Sequence, residues 1–303
     1  MTLAVFAIAL VPSCAFGWWG PLVARRLPPR HATWLLSGGG VVAALSSVVV
    51  LLLVGSLLVG EQPAVARAGH WSVAALRDHA PVGFPAALAA AVLGAVLCVW
   101  AATVAYRRAW AVAVAYQSCR NLPPGAGELI VVPGASVGAY AVPGRPGRVV
   151  AGQQLLARLS SGQRRAVLAH ERAHLMHGHH WHLAAVSIAS ALNPWLGPLR
   201  PATSCATERW ADEVAAATVA DRRLVARALA AAAVRTDAPR QGALAAATHF
   251  VPLRVAALLS PAPRSRPLLV RVSLALLLAA TAATVLATKQ TEHLYEFAQH
   301  VNR

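Results

Sequence analysis

The stretch Arg164-Arg165-Ala166-Val167-Leu168-Ala169-His170-Glu171-Arg172-Ala173-His174 decides how this chain is read. Its apolar residues recur at helical spacing, and the two histidines, four residues apart, fall on one helical face. Two imidazoles so placed can ligate one zinc ion. Glu171 then stands beside the remaining coordination position, where a carboxylate can take a proton from an attacking water and later deliver it to a leaving amine. The pattern predicts helix from Ser161, as N-cap, to about Leu192, preceded by a short helix Gln153 to Leu159.

A catalytic zinc needs a third protein ligand. Segment 107–271 holds only seven acids, and two of them stand in Glu208-Arg209-Trp210-Ala211-Asp212, 34 residues after His174. On a helix expected from about Thr203 to Val234, Glu208 and Asp212 share a face. Glu208 can complete a His2Glu site while Asp212 orients a ligating histidine. The alternative, a solvated acidic face shared with Glu213 and Asp221, stays open at this point.

Upstream, Glu128 to Val132, Val137 to Val142 and Arg148 to Ala151 are short, β-prone and separated by Pro/Gly turns, which predicts a small antiparallel sheet. Gln117 to Gly127 and Pro261 to Arg266 read as linkers around the segment.

The chain outside this segment is a different material. Of 303 residues 57% are apolar and 13% charged, with a mean hydropathy of +0.54. That composition excludes disorder and an ordinary soluble enzyme. Four stretches are long and uncharged enough to span a bilayer, which takes about 20 residues: Thr2 to Gly20, Ala32 to Gly60, Ala80 to Tyr106 and Pro267 to Thr288. Basic residues follow the first of these instead of preceding it, the wrong order for a cleaved signal, so it is expected to be retained. Leu183 to Leu199, interrupted by Asn193, Pro194 and Pro198, is expected to be a buried or interfacial helix and turn.

The formal net charge of +16 divides by loop. Loop 21–31 carries +3 and segment 107–271 carries +13, from 20 Arg against seven acids, whereas 61–79 and 289–303 balance to zero. Alternate compartments are basic and neutral, as the positive-inside rule requires. The expectation is a cytoplasmic 107–266 domain, with the N-terminus and a short tail 289–303 outside. The arginines are scattered singly or in pairs and form no reader of DNA, so anionic lipid headgroups are the expected partner. Cys14, Cys98, Cys119 and Cys205 form no CxxC pair and are expected to stay reduced.

Taken together, Val149 to Leu156, Arg164 to Glu171 and Glu208 to Asp212 resemble the gluzincin-type membrane metallopeptidases. Two branches compete: the BlaR/MecR type, which relays antibiotic signals by proteolysis of a cytoplasmic repressor, and the HtpX/CAAX-protease type. Three spans, a cytoplasmic zinc domain and a fourth span match the first better. The resemblance implies a mainly α membrane protein, with four transmembrane helices and an α+β zincin-like domain inserted between the third and fourth. It further implies zinc on His170, His174 and Glu208, Glu171 as catalytic base and acid, and Asp212 behind a ligand. Residues Val137, Gly138, Ala139, Tyr140, Ala141 and Val142 match the strand that binds substrate in these families. Thr248-His249 followed by Arg254-Val255 resembles a later element in which His249 would donate to the transition state and Arg254 would serve as an ion-pair partner; Phe250 replaces the usual proline.

The BlaR/MecR sensors carry a penicillin-binding domain after the fourth span; here 15 residues follow Thr288 and no SxxK motif occurs. Direct β-lactam sensing by a covalent serine is therefore not expected. The resemblance implies hydrolysis of a cytoplasmic protein substrate, such as a repressor in a signalling relay, with oligomeric state open. Two rivals stay open: a quality-control membrane protease, and a non-proteolytic sensor or scaffold with a structural zinc. His177, His179, His180 and His182 are expected to be polar residues on the far turns of the zinc helix, near headgroups, and without a ligand role. Trp18, Trp19, Trp34, Trp100, Trp110 and Trp181 are expected at span or interface ends. Gly38-Gly39-Gly40 is expected to permit close helix packing.

Overall fold

The computed structural model describes residues 3–121, 128–133, 138–233, 250–261, 264 and 266–302, with side chains from residue 10 onward. The chain is mostly helical. Long apolar runs form α1 (Leu3–Ala24), α2 (Pro29–Gly60) and α5 (Phe84–Arg120), with two short helices, α3 (Pro63–Gly69) and α4 (Val73–Asp78), between α2 and α5. Strands β1 (Leu129–Val132), β2 (Ala139–Val142) and β3 (Arg148–Gly152) precede α6 (Gln153–Arg158), α7 (Ser161–Met176) and α8 (His179–Leu192). A 3-10 turn, Pro194–Leu196, leads to α9 (Leu199–Val219) and α10 (Arg222–Ala233), and the chain closes with α11 (Val251–Leu259) and α12 (Pro267–Val301).

Among the described residues three helices, α2, α5 and α12, are long and apolar enough to cross a membrane; the described apolar part of α1, Leu10–Ala24, is shorter. The helices outrun the span bounds expected from the sequence. The third helix continues from Tyr106 to Arg120, and the fourth does not end at Thr288 but runs to Val301. Charged residues end a membrane crossing without ending a helix, because no backbone hydrogen bond is lost at Arg107 or Lys289.

The stretches 61–79 and 289–302, expected to belong to a loop and a tail, fold together. Trp71, Leu76, Leu294 and Ala298 share a core with Leu57. Tyr295 donates to the Ser56 carbonyl at 2.9 Å, and Gln299 donates to the Gly69 carbonyl at 2.9 Å.

The sheet has the order β1-β3-β2. It is mixed, not antiparallel: β3 pairs antiparallel with β2 (Tyr140 opposite Val150) but parallel with β1 (Ile130 opposite Val150). Val149, Val150 and Ala151 of the central strand are buried, as a strand flanked on both sides should be. The parallel pair arises because β2 lies between β1 and β3 in sequence but not in space, a long-range choice that strand propensity does not encode.

The helix expected over 161–192 is broken. Ser160, not Ser161, is the N-cap of α7, forming a reciprocal box with Gln163. Gly178 then adopts φ 57°, a left-handed conformation that glycine takes without strain, and separates α7 from α8. The helix expected over 203–234 likewise divides into α9 and α10 at Ala220 (φ 56°).

Beyond Gly178 the chain turns into the bundle. His182 Nδ1 lies 2.8 Å from Ser37 Oγ of α2, and Asn193 Nδ2 donates to Ser47 Oγ of α2 at 2.9 Å. Both pairs advance in the same direction, so α8 runs alongside α2 for about 15 Å at about 1.5 Å per residue. Asn193 Oδ1 also accepts from the Trp195 backbone N–H at 3.0 Å, which satisfies a buried amide at the turn. Gly17 of α1 meets the Trp195 carbonyl so closely that a Cβ there would overlap it. Val186, Ala189, Leu196, Leu199 and Ala206 form one core with Phe16, Leu36 and Leu277 of the apolar helices. The pair α8–α9 is thus a helical hairpin inserted among α1, α2 and α12, and its second helix faces α7 across the site described next.

Candidate metal centre

Helices α7 and α9 approach closely because their facing positions are small. Ala166, Ala169 and Ala173 on α7 and Ala211, Ala215 and Ala216 on α9 are all buried. Small side chains let two helical backbones come near each other, and that proximity lets a carboxylate on one reach imidazoles on the other.

His170 Nε2 and His174 Nε2 stand 3.1 Å apart. Glu208 Oε2 lies 3.4 Å from His170 Nε2, and Glu208 Oε1 lies 3.5 Å from His174 Nε2. Tetrahedral zinc with bonds of about 2.0–2.1 Å holds its ligand atoms about 3.3 Å from each other. The three donors therefore fit a zinc ion by spacing and by chemistry, two neutral imidazoles and one carboxylate. Among the described residues they form the cluster able to hold a metal.

Each donor is held from behind. Asp212 Oδ1 lies 3.0 Å from His170 Nδ1, which leaves the His170 Nε2 lone pair for the metal. Arg254, on α11, donates to Asp212 through Nε at 2.8 Å and Nη2 at 2.7 Å, and its Nη1 lies 2.9 Å from Glu208 Oε2. Arg254 and Asp212 are 4% and 2% exposed, so this pairing is a buried one. His174 Nδ1 faces His179 Nδ1 at 2.9 Å.

The electrostatics follow from burial and these partners. Burial disfavours ionised Glu171 and pushes its carboxyl up to about 7, partly opposed by the charge of His170. The Ala141 backbone of β2 also favours the ionised form of Glu171 and works against the rise. For His170, burial opposes the charge, but hydrogen bonds to Asp212 and Glu208 outweigh it and raise the imidazole to about 10 in the metal-free chain. Burial drives His174 down to about 4. Burial would raise Glu208, yet the bond to His170 and the charges of His174 and Arg254 hold it well below the usual carboxylate range. Asp212 is likewise held low by Arg254 and His170 against the effect of burial.

The sequence-derived residues distribute as follows. His170, Glu171, His174, Glu208 and Asp212 come together, with Arg254 as the ion-pair partner. Strand β2, Ala139–Val142, stands beside α7. Val137 and His249 lie outside the described residues.

Residues 105–197 match the model of peptidase family M48. No curated protein and no solved structure matches the chain. The M48 match supports a metallopeptidase, a class to which HExxH on α7 is suited. It ends before α9, so Glu208 and Asp212 stand on geometry.

The histidine-rich run is where the expectation fails. His179 and His182 are not on the far turns of the zinc helix; they lie on α8 and are buried. The ring of His177 stacks on Trp210 with centroids 4.5 Å apart, and His182 bonds Ser37 of α2. A run of histidines looks like a polar surface in one dimension. Only the break at Gly178, itself readable as a helix stop, hints that the rings after it turn back.

Proposed function

We propose that this chain is an integral membrane zinc endopeptidase that cleaves a protein substrate at the cytoplasmic side. The observation that carries the proposal is the convergence of His170, His174 and Glu208 at zinc-ligand spacing with Glu171 one residue from the first donor. A zinc ion held there supplies Lewis-acid polarisation and lowers the pKa of a water to about 7. The chain's own groups do the rest. Glu171, half-buried and shifted to about 7, can accept a proton on its carboxylate at neutral pH and give it up to a leaving amine. Asp212 and Arg254 keep His170 and Glu208 aimed at one point. Strand β2, at the sheet edge beside the helix that carries Glu171, offers backbone groups on which an extended substrate can pair.

Among the described residues three protein donors converge, one fewer than closes a tetrahedral structural site, which supports catalysis over a structural metal. The orientation rests on charge and packing. Stretches 61–79 and 289–302, neither of them with a net positive charge, pack on each other at one end of the bundle. At the other end Arg30 of the basic loop lies near enough to His177 to depress its imidazole further after burial has done so.

The substrate in this reading is a cytoplasmic protein such as a repressor in a BlaR/MecR-like relay; a quality-control protease with many membrane substrates shares the same chemistry. The decisive variant is Glu171→Gln, expected to keep zinc and to lose hydrolysis. A fully active Glu171→Gln protein refutes the mechanism. Comparing the proteomes of cells expressing either form separates the two substrate classes: one intact regulator accumulating supports signalling, and many membrane fragments support quality control.

A further inference from the structure

We propose that His179 is a positioning residue for His174: it accepts the Nδ1 proton of that imidazole and thereby fixes both its ring and its tautomer toward the metal. The inference rests on the reading of His170, His174 and Glu208 as zinc ligands.

His174 presents Nε2 to the donor cluster, 3.1 Å from His170 Nε2 and 3.5 Å from Glu208 Oε1. A histidine that ligates through the Nε2 lone pair carries its proton on Nδ1. That Nδ1 lies 2.9 Å from His179 Nδ1. Two nitrogens at this distance cannot both donate, and the ligand role assigns the donor to His174. The acceptor is then His179 Nδ1, and the His179 proton sits on Nε2. His170 receives the same service from Asp212 at 3.0 Å. Each imidazole of the HExxH pair is thus backed by an acceptor, one from α9 and one from α8.

The ring of His179 is built into place. It is 1% exposed, perpendicular to His174 with centroids 4.7 Å apart, and lies against Trp210 at 4.9 Å. Gly178, at φ 57°, lets the chain reverse so that the first residue of α8 faces back onto α7. Among the described residues the buried His179 Nε2 has no hydrogen-bond partner, an unfavourable state that a phenyl ring of similar shape would avoid. A side chain retained at such a cost is explained by what its other nitrogen does.

Two substitutions separate this role from packing. His179→Phe keeps a ring against Trp210 and removes the acceptor; His179→Asn loses the ring and keeps an acceptor oxygen near the position of Nδ1. Zinc affinity of the full chain in detergent micelles, measured by chelator competition with zinc alone, is the readout, with the visible spectrum of the Co2+-loaded protein reporting coordination geometry. Positioning predicts that His179→Phe binds zinc about 10- to 100-fold more weakly, with an altered Co2+ spectrum, and that His179→Asn recovers most of that loss. Wild-type affinity in His179→Phe, or equal weakening in both variants, overturns the proposal. Because no substrate enters this assay, a chain that binds zinc but hydrolyses nothing defeats the peptidase reading and leaves the positioning role standing.

Discussion

Replacing Arg254 by Met tests the charge arrangement behind the metal centre. The guanidinium makes hydrogen bonds of 2.8 and 2.7 Å to Asp212 and an ion pair of 2.9 Å to Glu208. The Arg254 and Asp212 side chains are 5% and 3% exposed. Methionine keeps most of the aliphatic stem, so the change isolates the charge. Breaking a buried pair by removing one partner costs about 3–5 kcal/mol, because the remaining charge is left uncompensated. Here His170 still faces both carboxylates, which keeps the expectation within that range although two acids lose their cation. At about 1.4 kcal/mol per decade, local opening becomes two to three and a half decades more frequent.

Hydrogen exchange followed by mass spectrometry on the EDTA-stripped chain in micelles measures this directly. Peptides from α7, α9 and α11 should lose about 3–5 kcal/mol of opening free energy, while peptides from α2 and α5 stay unchanged. The pH dependence has a definite sign. Asp212 and Glu208 are held below their ordinary values in the folded chain. The stability they contribute is fully present above the unfolded value of about 4, and it is lost as pH falls through their folded values. The difference between wild type and Arg254→Met should therefore be full at neutral pH and shrink in acid. A loss under about 1 kcal/mol, the scale of an exposed ion pair, refutes the reasoning.

Asp212→Asn should weaken zinc binding by about 10- to 100-fold while leaving the three donors in place; unchanged affinity in a chelator titration would show that Asp212 does not orient His170. Gly17→Ala should loosen the contact between α1 and the Asn193–Leu196 turn, because its Cβ meets the Trp195 carbonyl, whereas Gly38→Ala meets nothing and should be neutral or stabilising by up to about 1 kcal/mol. Equal melting temperatures for the two variants would contradict the packing of the inserted hairpin. In intact cells, with the four native cysteines replaced, a cysteine at Arg67 should react with a membrane-impermeant maleimide and one at Arg26 should not; the reverse pattern inverts the proposed orientation.

The amino-acid sequence by itself determined most of the candidate donor cluster. Ligand spacing in HExxH is local, four residues on one helix, so the placement of His170, Glu171 and His174 follows from helical geometry alone. The pair Glu208 and Asp212 was legible for the same reason, helped by the scarcity of acids around it. Hydropathy marked where apolar helices lie, but not their ends, since Arg107 and Lys289 change the solvent and not the backbone. What only the tertiary structure decided is long-range: the parallel pairing of β1 with β3, the closeness of α7 to α9 across buried alanines, and the insertion of α8–α9 beside α2. His179 belongs to that second class. In sequence it is one of several histidines; in space the turn at Gly178 brings its Nδ1 to 2.9 Å from that of His174. Local periodicity fixes which residues share a helical face, but which faces meet depends on side-chain volumes and polar pairs from distant parts of the chain, and the histidine run is read correctly only once those contacts are in place.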